Sequence, residues 1–134
     1  MKKTRLRKQS KVTTAKLQRT LWELCKQIIR KKYKPFCYTC GSGPLSGSNC
    51  HTGHMLAKAS LGAFLKYDIR LLRIQCMTCN VWHGGRGADF IENMRRIEGD
   101  EYVDNILKDR NVTVKADEFY SKQIQNYRSI IETL

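Results

Sequence analysis

The chain has 134 residues, enough for one modest core, and sets 25 Lys+Arg against 12 Asp+Glu for a net charge of +13. That excess points to polyanions, nucleic acid ahead of a membrane surface, because no apolar run is long enough to span a bilayer and no secretory signal is legible. The six cysteines, without an export signal, argue against a disulfide-stapled scaffold and predict a reducing, cytoplasmic compartment.

Residues 1–13 (MKKTRLRKQSKVT) carry Lys2, Lys3, Arg5, Arg7, Lys8 and Lys11 with no acid and little to bury. They predict a flexible basic arm that orders on a phosphate backbone, ahead of one domain over 14–134. Thr13 or Thr14 can cap a helix over roughly 15–32, in which Leu17, Leu21, Leu24, Cys25 and Ile28 recur at helical spacing. Cys25 on that stripe is a core residue. The opposite face is basic (Lys16, Arg19, Lys26, Arg30, Lys31), a solvated surface that also suits DNA. Pro35 ends the helical region, and Gly41–Asn49 is a loop by composition. His51–Leu56 and Leu72–Gln75 predict the two strands of a hairpin, with a short helical turn near Leu61–Leu65 between them. Gly84, Gly85 and Gly87 break the chain. Phe90, Ile91, Met94 and Ile97 then mark a helix ending near Gly99. Further helices are expected over roughly 100–109 (Tyr102, Val103, Ile106, Leu107 inward) and 117–132 (Tyr120, Ile124, Tyr127, Ile131).

Two Cys-x-x-Cys pairs, Cys37/Cys40 and Cys76/Cys79, supply the four thiolates of a closed tetrahedral zinc site. Cys50, beside His51, is an alternative ligand. Between the pairs lie His51 and His54, and directly after the second come Asn80 and His83. Cutting a phosphodiester needs a base for water and a cation to neutralise phosphate charge. His54 is the candidate base, with an imidazole that titrates near the working pH. Asn80, His83 and His51 are candidate ligands for a hard ion, magnesium or manganese. The plainer alternative is that a histidine beside a zinc site only orients a thiolate. Arg70, Arg73 and Arg86, flanking the second pair, are read with the arm as nucleic-acid contacts.

The basic start, the helix into Cys37-x-x-Cys40-Gly41, Gly53-His54, Gln75-Cys76-x-x-Cys79-Asn80, Phe90, Gly99, Val103-Asp104-x-Ile106 and Tyr127 form one pattern. It resembles the HNH nucleases with a ββα-metal core, and more narrowly the phage NinG (Rap) recombination-nuclease family. Phage resolvases of the endonuclease VII type are similar at the cysteine pairs, His51, His54 and Asn80. The resemblance implies a zinc-stabilised α+β fold, a small ββα-metal core flanked by helices. It also implies a metal-dependent endonuclease for branched DNA such as Holliday junctions, leaving 5′-phosphate and 3′-hydroxyl ends. His54 would be the general base, Asn80 a metal ligand and the paired cysteines the structural zinc site. Family precedent also implies a homodimer, since two strands of a junction need two cuts.

The chain departs from that pattern at three places. Leu71 or a neighbour stands where the family has its central asparagine, Gly85-Arg86 where it has Gly-Asn, and Thr52 where it has an acid. These departures favour a rival reading, a zinc-stabilised nucleic-acid-binding protein impaired in catalysis. A third reading, an RNA-binding zinc ribbon, predicts tight binding to structured RNA and no cutting.

Overall fold

The computed structural model describes residues 12–134. The arm cations Lys2, Lys3, Arg5, Arg7, Lys8 and Lys11 lie outside that range. Thr13 accepts the Lys16 N–H at 3.2 Å through its hydroxyl and starts helix α1 (Thr14–Lys32). Leu21, Leu24, Cys25, Ile28 and Ile29 are buried on one face, and Arg30–Lys32 complement the negative end of the helix dipole. Helix α5 (Ala116–Thr133) lies along α1 and buries Tyr120, Ile124 and Tyr127. The Thr14 hydroxyl donates to Asp117 at 2.7 Å and ties the two helix starts together.

Strands β1 (His51–His54) and β2 (Leu72–Gln75) form an antiparallel pair with His51 opposite Gln75 and His54 opposite Leu72. Every residue of β2 is buried, and α1 packs against this strand. The first strand is shorter than its sequence suggests. One more ladder bond, Met55 N–H to the Leu71 carbonyl, closes the pairing before a 3-10 turn at Lys58–Ser60. Gly53 is required here: a Cβ at this position would stand 1.9 Å from Gln75 Oε1.

The loop between the strands holds α2 (Ala63–Lys66) and is anchored from outside. Tyr127 of α5 donates its hydroxyl to the Tyr67 carbonyl at 2.6 Å and accepts the Ile69 N–H at 3.3 Å. After β2 comes a π-turn over Thr78–Trp82, then α3 (Gly87–Glu98) and α4 (Asp100–Lys108), which pack together. Phe90 and Met94 are buried as the periodicity predicts, but Ile97, placed inward by the same periodicity, is 53% exposed. It sits in the last turn, just before Gly99 at φ +95° redirects the chain into α4. The architecture is α+β, helices packed around a two-stranded sheet. No described helix is long and apolar enough to cross a membrane.

Candidate metal centre and adjoining cleft

The two cysteine pairs meet because β2 delivers Cys76 beside the first pair. The Tyr38 N–H donates to the Ile74 carbonyl at 2.8 Å, stitching the Cys37–Cys40 turn to the strand. Gly41, at φ +76°, gives its N–H to the Cys37 carbonyl and closes that turn. The Sγ atoms of Cys37, Cys40, Cys76 and Cys79 all lie within 4.8 Å of one another. A tetrahedron with zinc–sulfur arms of about 2.3 Å has edges of roughly 3.8 Å, and Cys40 to Cys76 measures 3.8 Å.

Each sulfur also has a donor nearby. Thr39 Oγ1 lies 3.5 Å from Cys37, Ser42 Oγ 3.1 Å from Cys40, the Cys79 N–H nitrogen 3.4 Å from Cys76 and Arg86 Nε 3.2 Å from Cys79. Such donors stabilise thiolate charge, as ligands of a metal need. Burial acts to raise the Cys37 thiol, but Thr39 and backbone N–H groups outweigh it and bring it down to about 6. The Ser42 hydroxyl and backbone lower Cys40. Desolvation pushes Cys79 up to about 11. The four cysteines therefore form a geometry that could hold a metal ion such as zinc. Cys50 is outside the cluster, and Cys25 is buried in the core with its thiol on the Tyr67 carbonyl at 3.3 Å.

Beside this centre runs a trough made of two clefts that share Trp22, Thr52 and Asn80. The cleft of about 450 Å³ is lined by His54, Lys58, Gly84 and Gly85, and the other, about 430 Å³, by Lys26, Arg30 and His51. His54 Nε2 lies 2.9 Å from the Lys66 carbonyl at the end of α2. A carbonyl only accepts, so Nε2 carries the proton and Nδ1 the lone pair. Trp22 stacks on the ring at 5.3 Å between centroids and 17° between planes, fixing its plane. Burial lowers the His54 pKa to about 4, and the Lys58 and Lys66 charges add to the effect, so the ring is neutral at physiological pH.

Asn80 is oriented by a relay. His51 Nε2 lies 2.7 Å from the Ser48 carbonyl and therefore donates to it, leaving His51 Nδ1 to accept from Asn80 Nδ2 at 3.0 Å. Asn80 Oδ1 is thereby left as the free end of the amide. Both nitrogens of His51 are engaged in these two bonds, so in this arrangement the ring orients Asn80. His83, also expected at the metal, is exposed and lines neither cleft. The π-turn ends at Trp82 and swings it outward.

The arginine assignments also change. Arg73 is 2% exposed. Its guanidinium lies over the Tyr33 ring at 4.6 Å, bonds the Leu72 carbonyl and pairs with Glu98 at 3.3 Å. Arg70 is forked onto Asp68 and reaches Asp109 at 2.9 Å. The buried Arg73 is not available to nucleic acid, whereas Arg70 stays partly exposed with its guanidinium held by one carboxylate two residues away and one from a distant segment. Arg86 belongs to the metal centre through Cys79, with Asp89 at 3.7 Å.

Two residues went unassigned in the sequence. Trp22 looked like one more position of a helix, and only the tertiary fold brings it onto His54. Gln75 is fully buried and gives its amide N–H groups to Thr39 Oγ1 at 3.0 Å and to the Gly85 carbonyl at 2.9 Å. It thus joins the first cysteine turn to the glycine loop of the cleft. Its place directly before Cys76 was the available signal. No family model, no curated protein and no solved structure matches the chain.

Proposed function

We propose that the protein is a metal-dependent endonuclease with a zinc-clipped ββα-metal core of the HNH type, formed by β1, β2 and the helical segment after Cys79, acting on branched DNA. The observation that carries this reading is the pairing of two polar groups in one cleft. His54 is neutral, held through Nε2 on the Lys66 carbonyl, and Asn80 offers a free amide oxygen.

In this reading His54 Nδ1 takes the proton from an attacking water, and Trp22 and the Lys66 carbonyl hold the ring so that the lone pair is presented without reorganisation. Lys58, poised over Trp22 at 4.5 Å, adds positive charge to the wall of the same cleft. Asn80 Oδ1 would hold a hard divalent ion, magnesium or manganese. Such an ion supplies charge neutralisation at the phosphate and at the departing 3′ oxygen. Zinc at the four cysteines has a purely structural part, fixing Asn80 one residue beyond Cys79. Two copies acting together would cut both strands of a junction.

One observation favours the rival reading of a nucleic-acid-binding protein without cleavage: no carboxylate lines either cleft. Incubating the zinc-loaded protein with a four-way DNA junction and with a linear duplex, with and without magnesium or manganese, separates the two. The enzyme reading expects ion-dependent nicks with 5′-phosphate ends in the junction. Tight binding with no cutting under any ion would establish the rival.

A further inference from the structure

The half of the trough on the α1 side has no part in the chemistry above, and its makeup is specific. Lys26 and Arg30 stand one helical turn apart on α1 and both line this cleft, opposite the His51–Asn80 pair. Arg30 bonds the Cys50 carbonyl at 3.2 Å and has no acidic partner among the described residues. Lys26 pairs only with Glu23, an exposed neighbour on the same helix, and such a pair is weak enough to yield to a stronger anion. Thr52 forms wall common to both clefts.

We propose that this cleft is a phosphate subsite, holding the backbone phosphate of a DNA strand next to the one presented to His54, with Lys26 and Arg30 as its charge. The assignment rests on the nuclease reading of the adjoining cleft, because the shared wall of Trp22, Thr52 and Asn80 makes the two one continuous track. The ligand chemistry is a phosphodiester: two cations and no carboxylate among the residues that line the cleft, Glu23 being held outside it on Lys26.

The test is the salt dependence of binding. A fluorescein-labelled four-way junction is titrated with the full zinc-loaded chain in calcium over a series of salt concentrations, for the parent protein and for the Lys26→Gln/Arg30→Gln pair. Each lost phosphate contact removes about 0.9 from the slope of log K against log salt, so the pair, which empties one phosphate subsite, is expected to lower it by about 0.9. Lys108→Gln/Lys122→Gln, which removes the same charge from other exposed positions, is expected to leave the slope unchanged. Zinc content and melting confirm folding. Should the pair fail to fold, Lys26→Gln alone carries the test, with an expected loss of about half that amount. A parent protein that binds while the variant keeps its slope overturns the subsite and leaves the nuclease reading intact. A parent that binds no junction overturns both.

Discussion

Asn80 Nδ2 donates to His51 Nδ1 across 3.0 Å, and the other nitrogen of that ring is held by the Ser48 carbonyl. The arrangement decides which end of the Asn80 amide is free, so under the proposed function His51 would act on an ion through Asn80. Replacing His51 by Ala should weaken manganese binding by about 10- to 100-fold, the usual cost of losing a residue that orients a ligand. The zinc content should stay the same. Calorimetric manganese titration together with metal analysis checks both, and unchanged manganese affinity would place His51 outside the site.

The four-sulfur centre should be inseparable from folding, because binding energy at a structural zinc site is folding energy. Cys76→Ala or Cys79→Ala is expected to lose the zinc and the cooperative melt together. Cys50→Ala should keep both, since Cys50 lies outside the cluster. Metal analysis of each variant, paired with thermal unfolding, is sufficient. Retention of one zinc per chain in Cys79→Ala would exclude that sulfur as a ligand.

Burial, reinforced by Lys58 and Lys66, holds His54 at about 4 in the folded chain, against about 6.5 in the unfolded one. The unfolded state therefore takes up the proton first as pH falls. The stability tied to the neutral ring is complete above about pH 6.5 and is lost on the way down to about 4, on the order of 3 kcal/mol in all. Urea unfolding of the parent should weaken over this window by more than that of His54→Gln, which has no ring to protonate. The acid limb of any cleavage rate should likewise lie well below about pH 6.5, the position of an unshifted histidine. A half-maximum near that value would mean that the ring is solvated.

Arg73 is a stability residue. Removing it leaves Glu98 without its partner and opens space beneath Tyr33, so Arg73→Ala should cost about 3 kcal/mol. Its DNA affinity, measured at a temperature where the variant is folded, should match the parent. A loss of affinity without loss of stability would restore the contact that the sequence suggested.

How much of this was legible depended on the range of the interaction. The α1 stripe, β2 and the cysteine pairs are local patterns with a fixed period or spacing, and the structure reproduces them. Ile97 has the right period but falls in the last turn of α3, where the chain turns away at Gly99 and nothing covers it. Arg73 carries charge, which a sequence displays, but its partners Glu98 and Tyr33 come from distant segments, and Arg70 joins the nearby Asp68 to the distant Asp109. The bond of His51 to the Ser48 carbonyl is not legible in the sequence, because backbone direction leaves no mark on residue identity.

The central claim is that the imidazole at position 54 takes a proton from water during phosphodiester cleavage. Single-turnover nicking of a four-way junction in magnesium or manganese, compared between the parent and His54→Ala, tests it most directly. The account predicts ion-dependent 5′-phosphate products from the parent and a rate at least about 100-fold lower from the variant, with zinc content and junction affinity unchanged. Cleavage by the variant at the parent's rate would contradict it.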